Sequence, residues 1–159
     1  MKIRLLSCDD VRQALPMKVA IEESKRAYSC LSNGRVEMPL RSRVHIPEHD
    51  GVLLTMPAAM LDDGEMAVKL VTVFGKNPAR GFPLIHAVVL LLDAENGQIL
   101  SLMNGEVLTA VRTGAGTGVA TDLLAPQQSN SVAIIGSGKQ AGAQLDAVCS
   151  VRDLSLIHI

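Results

Sequence analysis

Apolar and polar positions alternate along this chain in two distinct rhythms. Met17, Ala20, Ile21, Ser24, Ala27, Tyr28 and Leu31 recur at helical spacing and predict a helix with one small, apolar face. Pro16 fits the first turn of that helix, where its missing N–H costs nothing. Asn33-Gly34 ends it, because both residues tolerate the left-handed conformation of a helix stop. Ahead of it, Ile3–Leu6 reads as a short strand. From Arg41 to Asn104 the spacing becomes that of strands, with candidates at Arg41–Ile46, Val52–Met56, Ala67–Val73, Ile85–Asp93 and Gln98–Asn104. Asp93 to Gly97 is a hairpin connection in which Asn96-Gly97 supplies positive φ. Pro47, Pro57, Pro78 and Pro83 mark loops or strand ends.

Leu108 to Leu124 is again helical but carries Gly114, Gly116 and Gly118 within five positions. Each interior glycine costs about 0.8–1.0 kcal/mol relative to alanine, so close approach of another backbone is expected there. Pro126 with the polar run Gln127–Asn130 breaks the pattern and marks a boundary. Beyond it, Ser131–Ile135 is a β-branched run that meets Gly136-Ser137-Gly138-Lys139-Gln140-Ala141, and helical character then continues to Val151. This is G-x-G-x-x-A between a strand and a helix, the context required of a dinucleotide fingerprint. Gly136 makes the tight turn, Gly138 lets backbone approach a pyrophosphate, and Ala141 keeps the helix near the strand. The unpaired N–H groups of the helix start then face the phosphates. An ordinary glycine turn is the competing reading.

A complete nucleotide domain needs further strands, and its ribose-reading acidic residue lies about twenty residues past the glycines. Leu154–Ile159 reads as a second strand on which the sequence stops, or equally as foreign sequence. The expectation is therefore the N-terminal part of a longer protein: residues 1–126 a substrate-binding and dimerisation domain, residues 127–159 the incomplete start of a Rossmann domain.

Composition narrows the class only modestly. Hydrophobic residues make up 48% and aromatics 2%, so the core is aliphatic, and 15 basic against 16 acidic residues give a net charge of −1. That balance speaks against nucleic acid or a membrane surface as partner, since both call for a basic stripe. The longest apolar run, Ala87–Leu92, is too short to span a bilayer. Cys8, Cys30 and Cys149 form no CxxC pair and suit a reducing, cytoplasmic setting.

Met103 to Ala115, followed by Ile134 to Ala141, resembles the ornithine cyclodeaminase/mu-crystallin family. So do Thr55-Met56-Pro57-Ala58 and Val68-Lys69-Leu70-Val71-Thr72, in the same order. The resemblance covers essentially the whole chain, and members look about twice as long. It implies an α/β enzyme with an N-terminal α+β substrate-binding and dimerisation domain, followed by a Rossmann domain for NAD or NADP. The implied chemistry is hydride exchange at the α-carbon of a small amino or imino acid, either cyclodeamination of ornithine to proline or reduction of a cyclic ketimine such as pyrroline-2-carboxylate. A homodimer is implied as well. A non-catalytic, mu-crystallin-like protein that binds cofactor or a small ligand is the alternative.

By motif, Arg43, Lys69 and Arg112 are the implied substrate residues, with Lys69 and Arg112 also catalytic, and Gly136 to Ala141 hold the cofactor. The residue chemistry agrees. Lys69 interrupts an apolar strand, where a cation needs a partner such as a substrate carboxylate. Arg112 offers a planar fork for the same group. Arg41 is an equally basic neighbour of Arg43. The family's catalytic acidic residue would fall beyond Ile159, so the 159-residue chain alone is expected to be inactive.

Other features have simpler readings. His45, His49, His86 and His158 lack metal-ligand spacing, and His86 reads as a hydrogen-bonded structural histidine. Glu22-Glu23 with Lys25-Arg26 reads as a solvated helix face. Asp62 to Glu65 reads as a turn, Lys76–Gly81 as a loop, and Cys149 as a small buried apolar residue.

Overall fold

The computed structural model of the chain describes residues 2–158. In chain order the elements are β1 (Arg4–Leu6), α1 (Cys8–Ala14), α2 (Met17–Ser32), β2 (Val36–Glu37), β3 (Ser42–Ile46), β4 (Gly51–Met60), β5 (Glu65–Phe74), β6 (Ile85–Asp93), β7 (Ile99–Asn104), α3 (Gly105–Leu124), β8 (Ser131–Ala133), α4 (Ala141–Val151) and β9 (Leu156–His158). The fold is mixed α/β, as the sequence predicts. The backbone gathers into two compact units, one of Met1–Val11 with Cys30–Glu106, the other of Arg12–Ser29 with Val107–Ile159.

The first unit is built on a seven-stranded sheet of order β1-β7-β6-β5-β4-β2, with β3 also paired to β4. β1 runs parallel to β7, and the other pairings are antiparallel. Strand β6 has the predicted limits because its apolar run is bounded by Pro83 and by the Asp93–Gly97 turn. That turn closes through the Asp93 N–H to the Gln98 carbonyl at 2.9 Å, with Gly97 at φ 74°. Strand β4 corrects the reading of Pro57 as a strand end. It continues to Met60, with Pro57 paired to Val68 on β5. On its other side, β3 pairing stops at Thr55 and β2 pairing starts at Ala59. Pro57 thus occupies a stretch of open edge, where a missing donor is tolerated.

The second unit is helical, with β8 and β9 forming a parallel pair at its end. Met17, Ala20, Ile21, Ala115, Val119 and Ala147 form its buried core. Burying Ile21, 1% exposed, contributes about 1.5–3 kcal/mol. The α2 stripe narrows toward its end, since Tyr28 and Leu31 are exposed. The close approach expected of the α3 glycines is realised at Gly114, where an added Cβ would lie 2.8 Å from the carbonyl carbon of Ala143 on α4. At Gly118 it would lie 2.6 Å from Cδ1 of Ile21.

Three local readings change. Helix α1 is not evident in the sequence, because its seven residues bury only Val11. Pro16 precedes α2 rather than opening it, and its carbonyl accepts the Ala20 N–H at 3.0 Å. Cys149 is exposed; Ala147, on another side of α4, is the buried residue.

The charge cluster on α2 is more than a solvated face. Arg26 pairs with Glu23 at 2.9 Å along the helix, whereas Lys25 bridges Glu22 and Asp122 of α3, both at 2.8 Å. Hydrogen bonding to Lys25, and secondarily to Arg152, holds the Asp122 carboxyl below its ordinary range. Arg152, 6% exposed, closes the end of α3: its Nη2 donates to the carbonyls of Thr121 and Ala125, each at 2.8 Å.

Candidate functional site

Arg43 and Lys69 belong to the sheet unit. Arg43 pairs with Leu54, Leu54 with Val71, and Met56 with Lys69. Direct cross-strand partners share a face, as do residues two apart on one strand. Arg43, Leu54, Met56, Lys69 and Val71 therefore occupy one face. Lys69 is about 10 Å from Arg43 across two inter-strand steps and about 7 Å along the strands. Val89 and Met103 continue the same face beside Lys69. Val89 is buried at 7% exposure, whereas Val88, on the reverse face, is 37% exposed.

Lys69 is thus half-buried among Met56, Val71 and Val89, while Arg43 is exposed. Two cations on one apolar sheet face suit a small carboxylate, because hydrogen bonds between charged groups strengthen as water is excluded. His45, Val52 and Val73 extend this face toward Gly51, where a pocket of about 570 Å³ is lined by His45, Pro47, Asp50, Gly51, Val52, Val73 and Gly75. His45 and this pocket complete an edge that the sequence alone did not single out. Only strand register reveals it.

Arg112 belongs to the helical unit. It is exposed in the second turn of α3 and not at its start, since α3 begins at Gly105, earlier than the sequence pattern predicts. That early start has a local cause. Gly105 lies against β6, where a Cβ would come within 2.7 Å of the Ala87 carbonyl carbon, so only glycine lets the chain turn directly from β7 into the helix.

Gly136, Ser137, Gly138, Lys139 and Gln140 lie in the exposed connection from β8 into α4, and Ala141, half-buried, is the first residue of α4. Gly136 has φ 107°, a conformation that side chains other than glycine rarely adopt. No atom lies within 4 Å of a Cβ built on Gly138. A fold-packing reason for that glycine is therefore missing, and open space for a ligand remains. The loop fits a dinucleotide pyrophosphate: an open glycine corner, then the start of an eleven-residue helix. β9 runs parallel to β8 with Val132 opposite Ile157, the β-α-β connection such a loop requires.

His86 is exposed, with Nδ1 3.9 Å from Oε1 of Glu106, a separation longer than a hydrogen bond, so it is a surface histidine and not the hydrogen-bonded structural one expected. No group of three or more His, Cys, Asp or Glu side chains among the described residues is placed to hold a metal ion. No helix among them is long and apolar enough to cross a membrane.

The model of the ornithine cyclodeaminase/mu-crystallin family matches residues 1–159. The chain is 33% identical over 153 residues to a Delta(1)-pyrroline-2-carboxylate reductase of Bacillus cereus, covering 96% of this chain and 47% of the relative. Among solved structures, it superposes with TM-score 0.88 and 42% identity on the Thermococcus litoralis Delta(1)-pyrroline-2-carboxylate reductase in complex with NADH and L-proline, covering 96% of this chain and 47% of that one. An archaeal alanine dehydrogenase dimer with bound NAD matches with TM-score 0.90 and 30% identity, over 99% of this chain and 48% of that one. The chain spans about half the length of these relatives.

Proposed function

The chain belongs to the ornithine cyclodeaminase/mu-crystallin family, and on that premise we propose that the protein reduces a small cyclic ketimine with NADH or NADPH. The observation that carries this reading is Lys69 on one sheet face with Arg43, flanked across the sheet by Met56 and Val89. The two cations bind the substrate carboxylate, and Arg112 keeps its assignment as a substrate residue by its motif alone. Each charge-assisted hydrogen bond contributes about 1.5–3 kcal/mol. The apolar cross-strand neighbours Met56 and Val89 match an uncharged ring.

The loop Gly136–Ala141 holds the dinucleotide by its backbone N–H groups and by the start of α4. When bound, the nicotinamide supplies the hydride. Lys69 and Arg43 fix the carboxylate so that the imine carbon is presented in one orientation, and the apolar flank of Met56 and Val89 excludes water. In this reading residues 1–126 bind substrate and 127–159 open the dinucleotide domain. A homodimer is part of the reading: the reverse sheet face exposes Val44 at 55% and Val88 at 37%, and the related alanine dehydrogenase is a dimer. Cys8, Cys30 and Cys149 are free, which supports a reducing, cytoplasmic location.

The test supplies the intact protein with pyrroline-2-carboxylate and NADH or NADPH. Net oxidation of the cofactor is expected. Ammonia release from ornithine without net oxidation would instead make it a cyclodeaminase, and cofactor binding with neither reaction would make it a non-catalytic binding protein.

A further inference from the structure

The sheet face that carries Arg43 and Lys69 ends in a polar corner. His45 is cross-strand from Val52, and Val52 from Val73, all on that face. With Asp50 and Gly75 they line the pocket of about 570 Å³ at the strand ends. We propose that His45 and Asp50 are specificity residues that bind a hydroxyl on the substrate ring, so that the preferred substrate is a hydroxylated cyclic ketimine acid. The proposal rests on the assignment of the Lys69 face to the substrate.

The fold holds the Asp50 carboxylate in place. Among the described residues Asp50 is the one non-glycine residue at positive φ, 49°, in the left-handed region that aspartate tolerates. Its N–H donates to the Pro47 carbonyl at 3.1 Å, and its own carbonyl accepts the Gly75 N–H at 2.9 Å. A Cβ on Gly75 would overlap the carboxylate, so glycine at that position is what leaves the acid its place in the pocket. Backbone held in a sparsely populated region is a mark of functional sites. Among the described residues neither the His45 nor the Asp50 side chain is engaged in a hydrogen bond or ion pair.

The two groups together select a hydroxyl. A carboxylate only accepts hydrogen bonds, whereas an imidazole N–H donates. A hydroxyl donates to Asp50 and accepts from His45 at once. An ammonium would meet the imidazole donor and the Arg43 charge, and a second carboxylate would meet Asp50. Arg43 and His45 stand about 7 Å apart along β3, a span that one ring bridges between its carboxylate and its hydroxyl. A site that pairs a hydroxyl rejects the analogue lacking it, because the polar groups of the site are then left unpaired. The dimer surface is the reverse sheet face, with exposed Val44 and Val88, so it leaves uncovered the face that substrate must reach.

The test titrates L-proline and cis- and trans-4-hydroxy-L-proline into the intact protein by calorimetry, with NADH present so that no hydride moves. One hydroxyproline epimer is expected to bind at least tenfold more tightly than L-proline. Asp50→Asn, which keeps a residue tolerant of positive φ, should cut that advantage below threefold and leave L-proline affinity within twofold. Gly75→Ala displaces the carboxylate without removing it and should reduce the advantage at least threefold. His45→Phe should do the same. The proposal alone is overturned if Lys69→Gln weakens L-proline binding but neither epimer binds more tightly than L-proline. It is overturned equally if the tenfold advantage survives in Asp50→Asn and Gly75→Ala. L-proline affinity unchanged in Lys69→Gln overturns the assignment of the face, and the proposal with it.

Discussion

Lys69 on β5 and Met56 on β4 are direct cross-strand partners, so a thioether side chain stands beside the cation proposed to hold a substrate carboxylate. Met56→Glu would place an anion at that position. The new carboxylate would compete with substrate for Lys69, and KM for pyrroline-2-carboxylate is expected to rise about tenfold, the equivalent of roughly 1.4 kcal/mol. Steady-state kinetics on the intact variant checks this. An unchanged KM would mean that substrate does not use Lys69.

Gly138 gives a cleaner separation of fold from function. A Cβ at this position meets nothing within 4 Å, so Gly138→Val should leave the melting temperature within about 2 °C of the parent. The same branch would block close approach of a pyrophosphate, and affinity for NADH should fall at least a hundredfold. Fluorescence titration of bound NADH measures it. A parallel loss of stability would show that Gly138 serves packing.

Gly114 should behave in the opposite way. There the added methyl of Gly114→Ala meets the Ala143 backbone at 2.8 Å. Overpacking costs about 1–3 kcal/mol, more than the gain of up to about 1 kcal/mol in helix propensity. Gly142, with nothing within 4 Å of a Cβ, should gain up to about 0.5 kcal/mol as alanine. Denaturant unfolding of the two variants should move in opposite directions.

Asp122 links stability to acid. Its carboxyl is held below the ordinary range by hydrogen bonding to Lys25 and then to Arg152. A depressed pKa contributes stability that is present above the unfolded value of about 3.9 and is lost as pH falls through the folded value. Asp122→Asn should therefore flatten the fall in melting temperature below about pH 5. Arg152→Ala removes the buried donors to Thr121 and Ala125 and should cost about 2–3 kcal/mol. Melting curves across pH for both variants check these expectations.

Much of this architecture is written locally in the sequence. The limits of β6 follow from its own apolar run and flanking turns, and the end of α2 follows from Asn33-Gly34, with Gly34 at φ 69°. The passage of β4 through Pro57 is not local, because it depends on where β3 and β2 leave its edge open. The glycines of α3 announce a close contact, but not that Ala143 and Ile21 supply it. Lys69 and Arg112 are marked by charge in apolar or glycine-rich surroundings, whereas Arg43 follows from the family motif alone. That Arg43 and Lys69 share a face follows only from register.

The most direct measurement of the central claim is the affinity of the intact protein for L-proline in the presence of NAD⁺, compared between the parent and Lys69→Gln. Losing one charge-assisted bond of about 1.5–3 kcal/mol corresponds to a tenfold to hundredfold weakening. Prolinamide, which lacks the carboxylate, should bind parent and variant alike. Proline binding weakened at least tenfold in Lys69→Gln, with NAD⁺ affinity unchanged, is the predicted result. Equal proline affinity in the two proteins would contradict the assignment of this sheet face to the substrate.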